Sequence, residues 1–182
     1  MKVKEGNLII NTPNCENALC GIGFGLMMNG VNAIFFMKQQ DFLLLGIDHL
    51  VNTYNYMRMY VPKASFTIVT PIIDCGYQGL QSSFNNFGDL CSIARIPGFT
   101  ITNQVDAEKI INTQLIAPGF RIIGISQRLY DKEIIVPNIF EIDHRNHIFK
   151  YSEGNDATIV CFNLSFPQGF ELWSNLKDKG IN

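Results

Sequence analysis

Three stretches of the chain are apolar over nearly every residue at strand length: 33–37 (AIFFM), 65–73 (SFTIVTPII) and 120–126 (FRIIGIS). A strand with one wet face alternates polar and apolar residues, so runs without alternation predict strands covered on both sides. Segments with helical spacing lie between them, at 16–28, 41–59, 87–94 and 106–115. In the second of these, Phe42, Leu45, Leu50, Val51, Tyr54 and Met57 mark the apolar stripe. Asn29-Gly30 supplies a left-handed stop for the first. Shorter strands are predicted at 7–11 and 99–102. The expected fold class is α/β, a parallel sheet with helices on both faces. From 131 to 151 the pattern turns irregular and polar, with Pro137 and the cluster Asp143-His144-Arg145-Asn146-His147, which predicts a linker. A strand at 157–162 and a helix near 169–177, stopped by Gly180, then read as the first β-α unit of a second domain. The expected division is 1–130, 131–152 and 153–182.

Composition narrows the function classes. The 182 residues carry 14 Lys+Arg against 16 Asp+Glu, a net charge of −2, so no basic excess exists to neutralise phosphates and a nucleic-acid partner is not expected. With 14 Phe and 6 Tyr the chain is the opposite of a disordered composition. Five cysteines (Cys15, Cys20, Cys75, Cys91, Cys161) form an odd set without a C-x-x-C pair. The expectation is a reduced, cytoplasmic protein whose thiols act as small buried apolar residues. No window approaches the roughly 20 apolar residues of a membrane span.

The segment Thr12-Pro13-Asn14-Cys15-Glu16, followed by a helix bearing Gly21, Gly23, Gly25 and Gly30, resembles the pyrimidine-binding domain of thiamine-diphosphate enzymes. The closer likeness is to transketolase and the beta subunit of the 2-oxoacid dehydrogenase decarboxylating component. Phe36-Met37-Lys38-Gln39-Gln40-Asp41-Phe42, then Ile47-Asp48-His49, resembles the segment whose aromatics pack on the cofactor pyrimidine. Gly79-Leu80-Gln81-Ser82-Ser83 falls where that family has a glycine-rich substrate loop. Ile96-Pro97-Gly98-Phe99, Arg128-Leu129-Tyr130 and Glu153-Gly154-Asn155-Asp156-Ala157-Thr158-Ile159-Val160 follow in the family's order, so the likeness covers about the whole chain.

That resemblance implies thiamine diphosphate and Mg²⁺ as cofactors and a reaction at a carbon–carbon bond beside a carbonyl, ketol transfer or 2-oxoacid decarboxylation. It implies Glu16 as the carboxyl group that hydrogen-bonds the pyrimidine ring nitrogen and so helps the amine side of the ring take a proton. A Glu at a helix start also favours the helix dipole without any ligand, and that alternative stands on the residue taken alone. Phe42 matches the aromatic that stacks on the pyrimidine, and Phe36, Gln39 and Asn14 match neighbouring pocket positions. Gln39 stands where the family usually has an aromatic, and Phe36 fits an ordinary core residue equally well. Gln81, Ser82 and Ser83 are the substrate-loop candidates. The family's loop histidine has no counterpart there, since the only histidines are His49, His144 and His147.

Other readings of the residues carry less. Gly21, Gly23 and Gly25 fall inside a helix rather than at a strand-to-helix turn, so they do not make a dinucleotide fingerprint. They allow a close approach, expected to be a subunit contact. His49 is expected at the surface or an interface. His144 and His147, three apart in a polar segment without Cys or Glu support, do not make a metal site. No Gly-Asp-Gly occurs in the sequence, whereas the family holds the diphosphate and Mg²⁺ through a G-D-G…N domain. The resemblance therefore implies a partner subunit carrying that domain, an oligomer, and an active site at the seam, with the chain either a natural split subunit or a fragment. The rival expectations are a catalytically silent scaffold of the same fold and a stand-alone small-ligand module.

Overall fold

A computed structural model of the chain describes residues 6–74, 79–80, 85–130, 138–145 and 147–182. In chain order it contains α1 (Glu16–Met28), β1 (Ala33–Phe36), a 3-10 segment (Gln40–Gly46), α2 (Ile47–Met59) and β2 (Ser65–Ile72). Next come α3 (Phe87–Ala94), β3 (Gly98–Ile101), α4 (Gln104–Gln114) and β4 (Gly119–Ser126). A short hairpin, β5 (Glu141–Asp143) with β6 (Ile148–Lys150), and a final helix α5 (Phe166–Asp178) follow.

The four long-range strands form one parallel sheet in the order β1-β2-β4-β3. All eight residues of β2 are buried, as the unbroken apolar run demands of a strand with neighbours on both sides and layers above and below. Register assigns the two faces. Phe66 pairs with Phe120 and Ile68 with Ile122, and these meet Cys20 and Met27 of α1, Leu50 of α2 and Leu90 of α3. The Phe66 and Phe120 rings stack at 5.0 Å. One residue along, Val69 pairs with Ile123 and faces the other way, onto Ile110 of α4 and Ile101. The sheet thus carries helices on both faces, the fold class the periodicity predicts.

Local chemistry sets the helix ends. At α1 the Val31 amide donates to the Leu26 carbonyl and the Gly30 amide to Met27, with Gly30 at φ +81°, the double bond of a Schellman stop. At α4, Asn103 accepts from the Val105 and Asp106 amides while the Asp106 carboxylate accepts from the Asn103 amide, a capping box.

The structure departs from the sequence expectations in several places. The 41–59 stripe is two elements, because Gln40, Leu43 and Gly46 are all buried at a spacing of three, which a 3-10 turn aligns and an α-helix does not. The segment at 7–11 is not a strand, and Leu8, Ile9 and Ile10 lie exposed. The expected irregular stretch contains the β5–β6 hairpin, whose Phe149 packs beneath α4 on the second core. Residues 157–162 take no strand partner among the described residues, although the helix after them is present as α5. Of the cysteines, Cys20 is buried, Cys91 and Cys161 are half-buried and Cys15 is exposed, so the buried-thiol expectation fails at Cys15; Cys75 lies outside the described residues. Among the described residues no helix is long and apolar enough to cross a membrane.

Candidate functional site

Parallel strands deliver all their carboxyl ends to one edge, here Phe36, Ile72, Ile101 and Ser126. In open α/β sheets that edge is where ligands bind. Helix α1 returns into β1 through four residues, so it runs antiparallel to the strand. Thirteen helical residues span about 19 Å, against about 13 Å for four strand residues. The first turn of α1 therefore reaches the carboxyl edge of the sheet, and it carries Glu16.

Glu16 is half-buried. Cys15 at the N-cap gives no side-chain acceptor, so the helix start keeps free amides that favour a carboxylate there. One turn on, Cys20 is fully buried, and its thiol is pushed up to about 12, first by burial and then by the nearby charge of Glu16. The 3-10 segment lies against this turn. A Cβ built on Gly46 would sit 2.6 Å from Cys20 Sγ and 3.3 Å from the Glu16 carbonyl oxygen. Phe42, in the middle of the same segment, is half-buried and packs on the first core. Gln39 caps the segment, buried to 8% exposure in extended backbone. Phe36 ends β1 with 67% of its surface exposed, so it is not core. Asn14 lies on the exposed approach to α1. The element carrying Glu16 and the element carrying Gln39 and Phe42 thus meet at one edge of the sheet, next to Phe36. Gln81, Ser82 and Ser83 lie outside the described residues.

The glycines of α1 turn out to serve the inside of the molecule. A Cβ on Gly21 would meet the His49 ring at 3.1 Å, and one on Gly23 would meet the Phe66 ring at 2.2 Å. Only Gly25 of the three has open space, so the expected subunit contact is left to that position and its exposed neighbours Ile22 and Leu26. His49 is half-buried over Gly21 rather than simply a surface residue. His147 is paired with the Gln114 amide nitrogen at 2.9 Å and meets Phe99 edge-on. Among the described residues no group of three or more His, Cys, Asp or Glu could hold a metal ion.

Sequence reasoning did not find a second polar cluster at the same edge. Ser126 Oγ, at the end of β4, donates to the Asp74 carboxylate beyond β2, with oxygens at 2.7 and 2.8 Å. The Asn163 amide reaches the same carboxylate at 3.5 Å, and Arg128 reaches the Asp74 carbonyl at 3.4 Å. These partners are 52 to 89 residues apart in sequence, so no local pattern signals them. A cleft of about 1110 Å³ lies between α3 and β3 on one side and the segment from His147 to α5 on the other. Its lining is mainly apolar and includes His147, Gly98-Phe99 and part of the 153–160 stretch, but not Glu16, Phe36, Gln39 or Phe42.

Glu16 at the start of α1 and the segment carrying Gln39 and Phe42 thus lie at the carboxyl edge of the parallel sheet. The chain is similar to pyruvate dehydrogenase E1 beta subunits. Over 185 aligned residues it is 23% identical to the "Pyruvate dehydrogenase E1 component subunit beta" of Rhizobium meliloti (strain 1021), covering 96% of this chain and 39% of that protein. It is 24% identical over 184 residues to the chloroplastic subunit beta-3 of Arabidopsis thaliana, covering 98% of this chain and 45% of the relative. The chloroplastic beta-2 subunit of the same plant is 34% identical over 79 residues, 43% of this chain and 19% of the relative. The chain spans less than half the length of these proteins. No family model matches it.

The pyrimidine half of thiamine diphosphate would need a carboxyl group for a ring nitrogen and an aromatic face for the ring. Of the residues present, Glu16 is a half-buried carboxylic acid and Phe42 a half-buried aromatic packed against the first core. The diphosphate and its metal need several oxygen ligands in near-octahedral order, and the described residues hold no cluster that supplies them.

Proposed function

We propose that this chain forms the pyrimidine-binding side of a thiamine-diphosphate enzyme that acts on a carbon–carbon bond next to a carbonyl, as a 2-oxoacid dehydrogenase or a ketol transferase. The observation that carries the reading is Glu16: a half-buried glutamate in the first turn of α1, at the carboxyl edge of a parallel sheet, whose backbone carbonyl lies against the segment bearing Phe42. In this reading Glu16 hydrogen-bonds the ring nitrogen of the pyrimidine, Phe42 stacks on its face, and Phe36, Gln39 and Asn14 line the approach. Thiamine diphosphate, held there, would supply a carbon nucleophile and an electron sink for chemistry at the carbonyl. Glu16 holds the proton on the pyrimidine side. Gln81, Ser82 and Ser83 are proposed to orient the substrate with amide and hydroxyl groups. The Mg²⁺ and diphosphate fall to a partner subunit with the G-D-G…N domain, so the working site lies between chains. The division into a pyrimidine domain (1–130), a connecting stretch (131–152) and the start of a further domain (153–182) belongs to the same proposal.

The test is to purify the complex through an affinity tag on this chain and measure thiamine diphosphate binding and pyruvate decarboxylation. The expected result is a cofactor-binding hetero-oligomer whose Glu16→Gln form loses turnover by about 100-fold or more, the scale of a lost general acid–base group. Unchanged turnover in Glu16→Gln refutes the assignment. The loop sequence without histidine favours one second reading, a silent scaffold, which predicts that the complex forms and turns nothing over.

A further inference from the structure

We propose that Gly46 and Cys20 are positioning residues for Glu16, a packing pair that sets where its carboxyl group stands relative to Phe42; the inference rests on the role proposed for Glu16. Glu16 and Cys20 are four apart on α1, so they share one face of the helix. Cys20 is completely buried, and the atom opposite it is the Cα of Gly46, the last residue of the 3-10 segment. A Cβ on Gly46 would lie 2.6 Å from Cys20 Sγ, 3.2 Å from Cys20 Cβ and 3.3 Å from the Glu16 carbonyl. Gly46 has φ −108° and ψ 9°, a conformation open to any L-residue. Backbone freedom is therefore not what the glycine provides; the missing side chain is. Phe42 lies four residues earlier on the same 3-10 segment and packs against the core. At this contact the 3-10 segment presents no side chain and α1 a small thiol.

Ordinary van der Waals contact for such a Cβ begins at 3.4 Å, so a methyl group at position 46 separates α1 from the 3-10 segment by close to 1 Å. A displacement of about 1 Å of a catalytic group costs on the order of 100-fold in rate. A filler with no positioning role would lower stability and leave the proton chemistry alone. The proton itself gives the readout: exchange of the thiazolium carbon proton of bound thiamine diphosphate with D₂O, followed by NMR on the tagged complex loaded with Mg²⁺. Melting temperature and thiamine diphosphate affinity are measured beside it.

Gly46→Ala is expected to slow exchange about 100-fold. Adding Cys20→Ala, which removes the sulfur the methyl group strikes, is expected to restore it to within a few-fold of the unmodified complex. Slow exchange that Cys20→Ala does not restore overturns the inference, as does normal exchange in Gly46→Ala when Glu16→Gln is slow. Normal exchange in Glu16→Gln instead overturns the Glu16 reading itself, and this inference with it. Where Gly46→Ala does not fold, Cys20→Val presses on the same contact from the other side. With Glu16→Gln slow as its reference, slow exchange in Cys20→Val then supports the inference and normal exchange overturns it.

Discussion

Two glycines two positions apart on α1 should answer the same substitution with opposite signs. The ideal Cβ of Gly23→Ala lies 2.2 Å from Phe66 Cε2, 2.5 Å from Cζ and 2.7 Å from Cδ2, against 3.4 Å for an ordinary contact. More than 1 Å must be found, and the ring cannot supply it, being fully buried and stacked on Phe120 at 5.0 Å with planes 13° apart. Overpacking of a dense core costs about 1–3 kcal/mol. With a rigid ring as the obstacle, the upper part of that range applies. Alanine recovers about 1 kcal/mol in helix propensity, leaving a net loss of about 1–2 kcal/mol. Gly25→Ala meets nothing within 4 Å and keeps only the gain, roughly 0.5–1 kcal/mol. The two variants should therefore differ by about 2–3 kcal/mol, a substantial part of the roughly 5–15 kcal/mol that holds a domain folded. Urea unfolding followed by far-ultraviolet circular dichroism measures this directly, provided the slopes agree. Gly23→Ala as stable as Gly25→Ala would refute the packing argument.

Three further outcomes follow from buried polar groups. Arg121, 4% exposed, donates to the Gln114 and Pro118 carbonyls and to Thr67 Oγ1, so Arg121→Met should cost about 2–4 kcal/mol by stranding those acceptors; urea unfolding checks it, and an unchanged midpoint contradicts it. Burial raises the Asp106 carboxyl above its ordinary value, partly offset by hydrogen bonds from Thr102 and Asn103. Its folded form then holds a proton more tightly than the unfolded chain, so its share of stability falls as pH rises from the ordinary carboxylate value through the folded one. Asp106→Asn should flatten that part of the stability–pH curve, and an unaltered slope would count against the assignment. Cys15 is exposed while burial and Glu16 push Cys20 up to about 12, so a thiol reagent at pH 8 should label Cys15 at once and Cys20 only on unfolding, as peptide mapping would show.

The candidate site was legible to different depths. Glu16 at a helix start can be read from Asn14-Cys15-Glu16 and the apolar residues behind it, because a helix start is a local event. That Phe36 is exposed rather than core could not be read, because a phenylalanine ending a four-residue strand faces whatever lies beyond the edge. Gly46 carried no signal at all: a glycine after three leucines looks like a weak spot in a helix, and its neighbour Cys20 is 26 positions away. Gly21 and Gly23 invited a subunit contact because a helical glycine announces close approach without naming the approaching group. His49 and Phe66 proved to be that group.

The sequence by itself determined the layered class of the protein. Unalternated runs such as SFTIVTPII must be covered on two faces, and Asn29-Gly30 ends a helix through bonds closed within a few residues. Tertiary structure alone decided the strand order β1-β2-β4-β3, the break at Gly46, the β5–β6 hairpin and the joining of Asp74 to Ser126 and Asn163. The physical reason is range. Propensity, capping and periodicity act over one or two turns of chain, whereas the choice of neighbour is made by packing, where side chains far apart in sequence compete for the same few cubic ångströms.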